Sequence, residues 1–161
     1  MTGAERDQRV LVFPARSPGG LGDGALHFLF SMTQVADIVR EPAVYPVPRS
    51  PAHVIGMSVW RDRVMPVISP ERCLGLPAGP TPEPTDRLVA LRAPITEDGR
   101  TRTEGGMVLA GSPIQMIAPP AATPVTAAGR PVDGRYLLGL YRWEDGYLAV
   151  IHLARLLAGE P

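Results

Sequence analysis

Apolar residues in this chain fall into short runs broken every few positions by proline, glycine or a pair of charges. The first run is Arg9-Val10-Leu11-Val12-Phe13, stopped by Pro14 and a glycine-rich stretch ending at Gly24. Ala25-Leu26-His27-Phe28-Leu29-Phe30 and Val35-Ala36-Asp37-Ile38-Val39 come next. After a proline-rich linker from Pro42 to Pro51, Val54-Ile55-Gly56-Met57-Ser58-Val59-Trp60 turns at Arg61-Asp62 into Arg63-Val64-Met65-Pro66-Val67-Ile68. Runs of this length, rich in Val, Ile and Leu and bounded by turn residues, predict strands. Pro66 cannot donate to a ladder, so its run predicts an edge strand or a bulge.

Ser69-Pro70-Glu71 predicts a helix start, with a serine cap, proline at the first helical position and an acid in the first turn. Gly75 ends that helix after little more than one turn. Pro77 to Pro84 reads as a linker between two halves, and the second half repeats the style of the first. Arg87 to Arg92 predicts a strand and Glu97-Asp98-Gly99 a turn, followed by strands over Gly106 to Ala110 and Pro113 to Ile117. Ala118 to Pro131 reads as a loop. Tyr136 to Trp143 and Tyr147 to Ile151 flank Asp145-Gly146, a dipeptide suited to a type I′ hairpin turn. A short amphipathic helix from His152 to Leu157, ended by Gly159, closes the pattern. The fold this predicts is all-β, with about five strands and a helical turn in each half.

Composition fits that picture. The 161 residues include 19 Pro and 17 Gly, a density that rules out long helices. The basic residues, all arginine, balance the acids at 16 each and are scattered, so the chain lacks the electrostatic footprint that nucleic acid requires. Cys73 has no partner for a disulfide or a metal pair. No apolar run approaches the roughly 20 residues of a membrane span, and the polar N-terminus leads into no signal segment. The expectation is a cytoplasmic protein that is not inserted in a membrane.

Catalytic chemistry is hard to find. His27, His53 and His152 lie in three separate elements without metal-ligand spacing. Ser31, Ser58, Ser69 and Ser112 lack a nucleophile elbow. Gly19-Gly20-Leu21-Gly22-Asp23-Gly24 opens no helix and matches no P-loop, so it reads as a hairpin loop. The residues point to no enzyme, no cofactor and no metal.

One long segment matches a known pattern. It runs from Phe30-Ser31-Met32-Thr33-Gln34-Val35-Ala36-Asp37-Ile38-Val39-Arg40 through Val44-Tyr45-Pro46-Val47-Pro48 and Val54 to Ile68, ending at Leu74-Gly75-Leu76. It resembles the CheW family, adaptors that couple chemoreceptors to the histidine kinase CheA, and Gly139 to Leu157 is similar to the family's closing strand pair and helix. The resemblance implies two small five-stranded SH3-like β-barrels packed together, as one domain over residues 8–158 with subdomains of about 8–76 and 85–158, after a tail over 1–7. It implies a scaffold with two partners: the cytoplasmic tip of methyl-accepting chemoreceptors and the regulatory domain of a CheA-type kinase. The family's receptor-contact segment falls on Val35, Asp37 and Ile38, and its turn arginine on Arg61, which implies an Asp37–Arg61 ion pair. The kinase contact is not assigned to residues.

Departures from the family pattern cluster at the same turn. Val59 stands for asparagine, Trp60 for leucine and Asp62 for glycine, while Ala110 and His152 stand where aspartate is common and Pro113 is a further oddity. Two alternatives stay open on the residues. One is a scaffold that keeps the kinase but not standard receptor coupling; the other is a small-ligand-binding barrel or an enzyme using Cys73.

Overall fold

The computed structural model describes residues 8–40, 43–77, 79–82 and 86–158. The expected tail over 1–7 and the expected stop at Gly159 lie outside these described residues. The strands are β1 (Val10–Pro14), β2 (Leu26–Ser31), β3 (Val35–Val39), β4 (Val54–Trp60), β5 (Arg63–Ile68), β6 (Arg87–Glu97), β7 (Arg100–Ala110), β8 (Gln115–Ile117), β9 (Thr123–Val125), β10 (Leu137–Trp143) and β11 (Gly146–Ile151). Two short helices, α1 (Pro70–Cys73) and α2 (Leu153–Ala158), and a 3-10 turn at Gly134–Tyr136 complete the fold.

The strands form two sheets, a six-stranded one in the order β8-β1-β2-β11-β10-β9 and a five-stranded one in the order β3-β6-β7-β5-β4. The all-β class is as the sequence predicts, with a sixth strand in one sheet. Each sheet draws on both halves of the chain, because β2 runs parallel to β11 and β5 parallel to β7.

Alternation along the strands explains the layering. In β1, Leu11 and Phe13 point one way and Val10 and Val12 the other, yet all four are buried. The same is true of Leu88 to Leu91 in β6 and Met107 to Ala110 in β7. Each sheet therefore has two apolar faces. One face packs against the other sheet, where Phe13, Phe28 and Phe30 meet Val89, Leu91 and Val108, sealed by Leu74 at the C-cap of α1 and Leu153 and Leu156 of α2. The far face of the five-stranded sheet holds Met65, Val67, Leu88, Ala90, Met107 and Leu109, and that of the six-stranded sheet Val10, Val12 and Leu148. Burying a side chain of this size stabilises by roughly 1.5–3 kcal/mol, so these three clusters supply the main drive to fold.

Local chemistry sets the ends. Ser69 caps α1, its Oγ accepting from Arg72 N at 3.3 Å, and Gly75 at φ 72 lets the chain leave the helix. His152 caps α2, its Nδ1 accepting from Arg155 N at 3.2 Å, a task that an aspartate also performs.

Three expectations are corrected. Pro66 lies in an interior strand, between β4 and β7. It is tolerated because its partner Met57 turns both backbone groups toward Tyr45, and pairing with β7 begins only at Val67. The bulge lies opposite, in β4 between Val54 and Gly56. The β10–β11 turn is Glu144-Asp145 rather than Asp145-Gly146, with Glu144 at φ 51. Gly146 is the first strand residue, paired with Trp143, and is glycine because a Cβ there would lie 2.2 Å from Ala25 O. Finally, the loop expected over Ala118 to Pro131 contains β9, which pairs with Leu140 to Arg142.

Candidate functional site

β3 and β4 are the two edges of the five-stranded sheet, yet their side chains meet. Trp60, the last residue of β4, donates from Nε1 to Asp37 Oδ2 of β3 at 2.9 Å. The sheet must curl for this to happen, and Trp60 packs against the same far-face cluster as Ala36 and Val39 of β3. The indole thus joins the two edges into a half-barrel and fixes where β3 lies against the β4–β5 hairpin.

The hairpin turn supports the arrangement. Arg61 at φ 47 and Asp62 at φ 62 are the two central residues, closing on the Trp60–Arg63 pair. Two left-handed residues match the twist of the flanking strands. This turn carries the Arg61 guanidinium over the Trp60 ring, 4.6 Å from its centroid.

Of the residues expected at a docking site, the structure brings Asp37 and Arg61 to the same indole but not to each other. The Asp37–Arg61 ion pair is replaced. Oδ2 of Asp37 accepts from Trp60, Oδ1 accepts from Ile38 N at 2.8 Å, and Arg61 stacks on the ring instead. Among the described residues, no ion pair includes either residue. Ile38 is 38% exposed beside them. Val35 is half-buried and packs against the core between the sheets, so most of its apolar surface already serves the fold. A bulge between Val35 and Asp37 shifts the register of β3 on β6.

Two residues not expected at the site join it. Val59 and Val64 pair directly across the hairpin and are 56% and 66% exposed. They look like core valines in the sequence; alternation about the inward pair Ser58 and Met65 is the only signal that they face out. Exposed aliphatic side chains thus lie on β3, β4 and β5 near the turn that holds the stacked arginine.

The groups weighed for catalysis are occupied structurally. Cys73 is buried, and its thiol is pushed up to about 12, chiefly by that burial and further by the charges of Glu71 and Asp133. Such a thiol stays protonated at neutral pH. Buried Glu71 accepts from Arg16 N at 2.7 Å and from Ser69 Oγ at 3.1 Å, tying α1 to the chain after β1. His27 packs edge-on to Trp143 at 5.1 Å and His53 lies 6.4 Å from Tyr136, and burial lowers the pKa of both histidines. Among the described residues no three His, Cys, Asp or Glu side chains come together as a metal site, and no helix is long and apolar enough to cross a membrane.

A family model for the CheW-like domain matches residues 21–101. In three dimensions the chain is similar to the scaffolding protein TtCheW from Thermoanaerobacter tengcongensis, with a TM-score of 0.64 at 16% identity, over 93% of this chain and 87% of that one. No curated protein matches the chain in sequence.

Proposed function

The chain belongs to the CheW-like domain family, and from that premise we propose that it is a non-catalytic adaptor coupling chemoreceptors to a CheA-type histidine kinase. The family's general role is that of a scaffold in chemotaxis signalling. The observation that carries the finer reading is the surface where β3 meets the β4–β5 hairpin, with Asp37 and Arg61 held on Trp60 and with Ile38, Val59 and Val64 exposed on the same strands. Exposed aliphatics around an oriented arginine have the composition of a protein-docking patch, in which a few anchors give most of the affinity. Val35 packs against the core and holds β3 in place at this surface. The adaptor works in the cytoplasm, beside the receptor tips, and uses no cofactor.

The test is a pull-down of a receptor cytoplasmic fragment and, separately, of a kinase regulatory domain. The wild-type protein captures both. Arg61→Glu and Val64→Asp each lose the receptor by tenfold or more and keep the kinase. Unchanged receptor capture by both variants would remove this surface from the account.

A second reading has its own support. With the Asp37 carboxylate bound to Trp60 rather than to Arg61, the contact surface differs from the one the family resemblance implies. A scaffold that keeps the kinase and has exchanged its receptor for another partner would capture the kinase alone.

A further inference from the structure

The glycine-rich loop and the loop after β9 converge on one buried tyrosine beside the turn of the β10–β11 hairpin. Tyr147 is fully buried with its ring in the core between the sheets. Its hydroxyl donates to Asp23 Oδ2 at 2.7 Å and accepts from Arg130 Nη1 at 2.7 Å and Arg142 Nη2 at 2.8 Å. Three bonds are all that a phenol oxygen can make. The two guanidinium carbons lie 4.7 Å and 4.8 Å from the ring centroid, so the ring fixes both arginines as well. Arg130 is further held by its Nε, which donates to Thr126 O at 3.0 Å.

The charges around this oxygen do not balance. Two guanidinium groups meet there, and the carboxylate against them is that of Asp23, 3.8 Å from Arg130. Each guanidinium carries five N–H donors in a rigid fork. The bonds named above engage two donors of Arg130 and one of Arg142, which leaves further donors on both guanidinium groups. Asp23 is the replaceable member. Its side chain is 60% exposed, and it sits on a loop whose Gly19, Gly20 and Gly22 take φ of 82, 52 and 93. The loop keeps other anchors, namely buried Leu21 and the bond from Tyr147 N to Ala25 O at 2.8 Å.

We propose that Arg130, Arg142 and the Tyr147 hydroxyl form an oxyanion-binding site, with Asp23 as its built-in occupant. An incoming carboxylate or phosphate group takes the phenol proton bond and the guanidinium donors, and Asp23 swings out on its glycines. The site lies on different elements from the docking surface of β3 and the β4–β5 hairpin, and it stands whether or not the adaptor reading does. An oxyanion suits the position of the Asp23 carboxylate because it accepts the phenol proton beside two cationic forks.

Calorimetric titration of the full chain with inorganic phosphate and, separately, with a glutamate-rich peptide tests the site. Wild type, Asp23→Ala and Arg142→Gln are compared, with melting curves to establish that each is folded. Removing the internal competitor is expected to tighten binding about tenfold in Asp23→Ala, and losing a donor fork to weaken it at least tenfold in Arg142→Gln. Tighter binding of phosphate identifies a free phosphate-type ligand, and tighter binding of the peptide identifies a partner's carboxylate. Asp23→Ala binding neither probe more tightly than wild type, or Arg142→Gln binding as well as wild type, would reduce the node to a clamp between loops.

Discussion

Trp60 combines two roles that are usually divided between residues. Its ring fills part of the far-face cluster of the five-stranded sheet, and its N–H satisfies the half-buried carboxylate of Asp37. Trp60→Phe keeps most of the ring and loses the donor, leaving Asp37 with Ile38 N alone. A loss of about 1–2 kcal/mol is expected from urea unfolding. Trp60→Ala also opens a void and removes the surface under Arg61, for a loss of about 3 kcal/mol. A Phe variant as stable as wild type would mean that the indole bond does not hold the sheet edges together. Cys73 gives a pH test at the same scale. The fold raises its thiol from 9.0 to about 12, so between those values the folded chain holds a proton that the unfolded chain releases. The contribution is intact below the unfolded value and declines as pH rises through the window, by about 1.4 kcal/mol per pH unit. The stability gap between wild type and Cys73→Ala should therefore shrink above roughly pH 9; a constant gap would contradict the burial argument.

At the scale of elements, the β4–β5 turn carries a measurable strain. Arg61 and Asp62 both sit at positive φ, a region that aspartate adopts more readily than arginine and that glycine adopts at the least cost. Asp62→Gly is expected to stabilise by about 0.5–1 kcal/mol, a rise of roughly 2 °C in Tm, while leaving Arg61 stacked. A lower Tm would mean that Asp62 makes a compensating contact. This turn was legible in the sequence, as were β3, β4, β5 and the capped start of α1, because local alternation and turn chemistry decide them. Other features were not legible, for physical reasons. β9 has three residues with proline in the middle and exists only because β10 offers it a ladder. The outer part of β7, Arg100 to Thr103, is exposed and polar and shows no apolar period; it is a strand because it pairs with Pro94 to Glu97 of β6. At the site, the positions of Asp37 and Arg61 were readable from family resemblance. The choice of the carboxylate between an indole N–H and a guanidinium depends on sheet curl, which no local pattern encodes.

Over the whole molecule, the two parallel contacts decide the architecture. β2 against β11 and β5 against β7 interleave the two halves of the chain, so each sheet needs strands from both. The Trp60 indole fixes the position of β3 relative to the β4–β5 hairpin, and with it the proposed docking surface, while the Tyr147 node lies on β10, β11 and two loops of the other sheet. A body of this kind presents rigid surfaces with little internal chemistry, which suits a protein that joins others. The claim at the centre of this account is bridging, and co-sedimentation measures it directly. A receptor cytoplasmic fragment on vesicles is mixed with a kinase regulatory domain, with and without this protein. The kinase domain is expected to sediment with the receptor only when this protein is present, and Arg61→Glu to abolish the effect. Kinase sedimentation that is the same with and without the protein would contradict it.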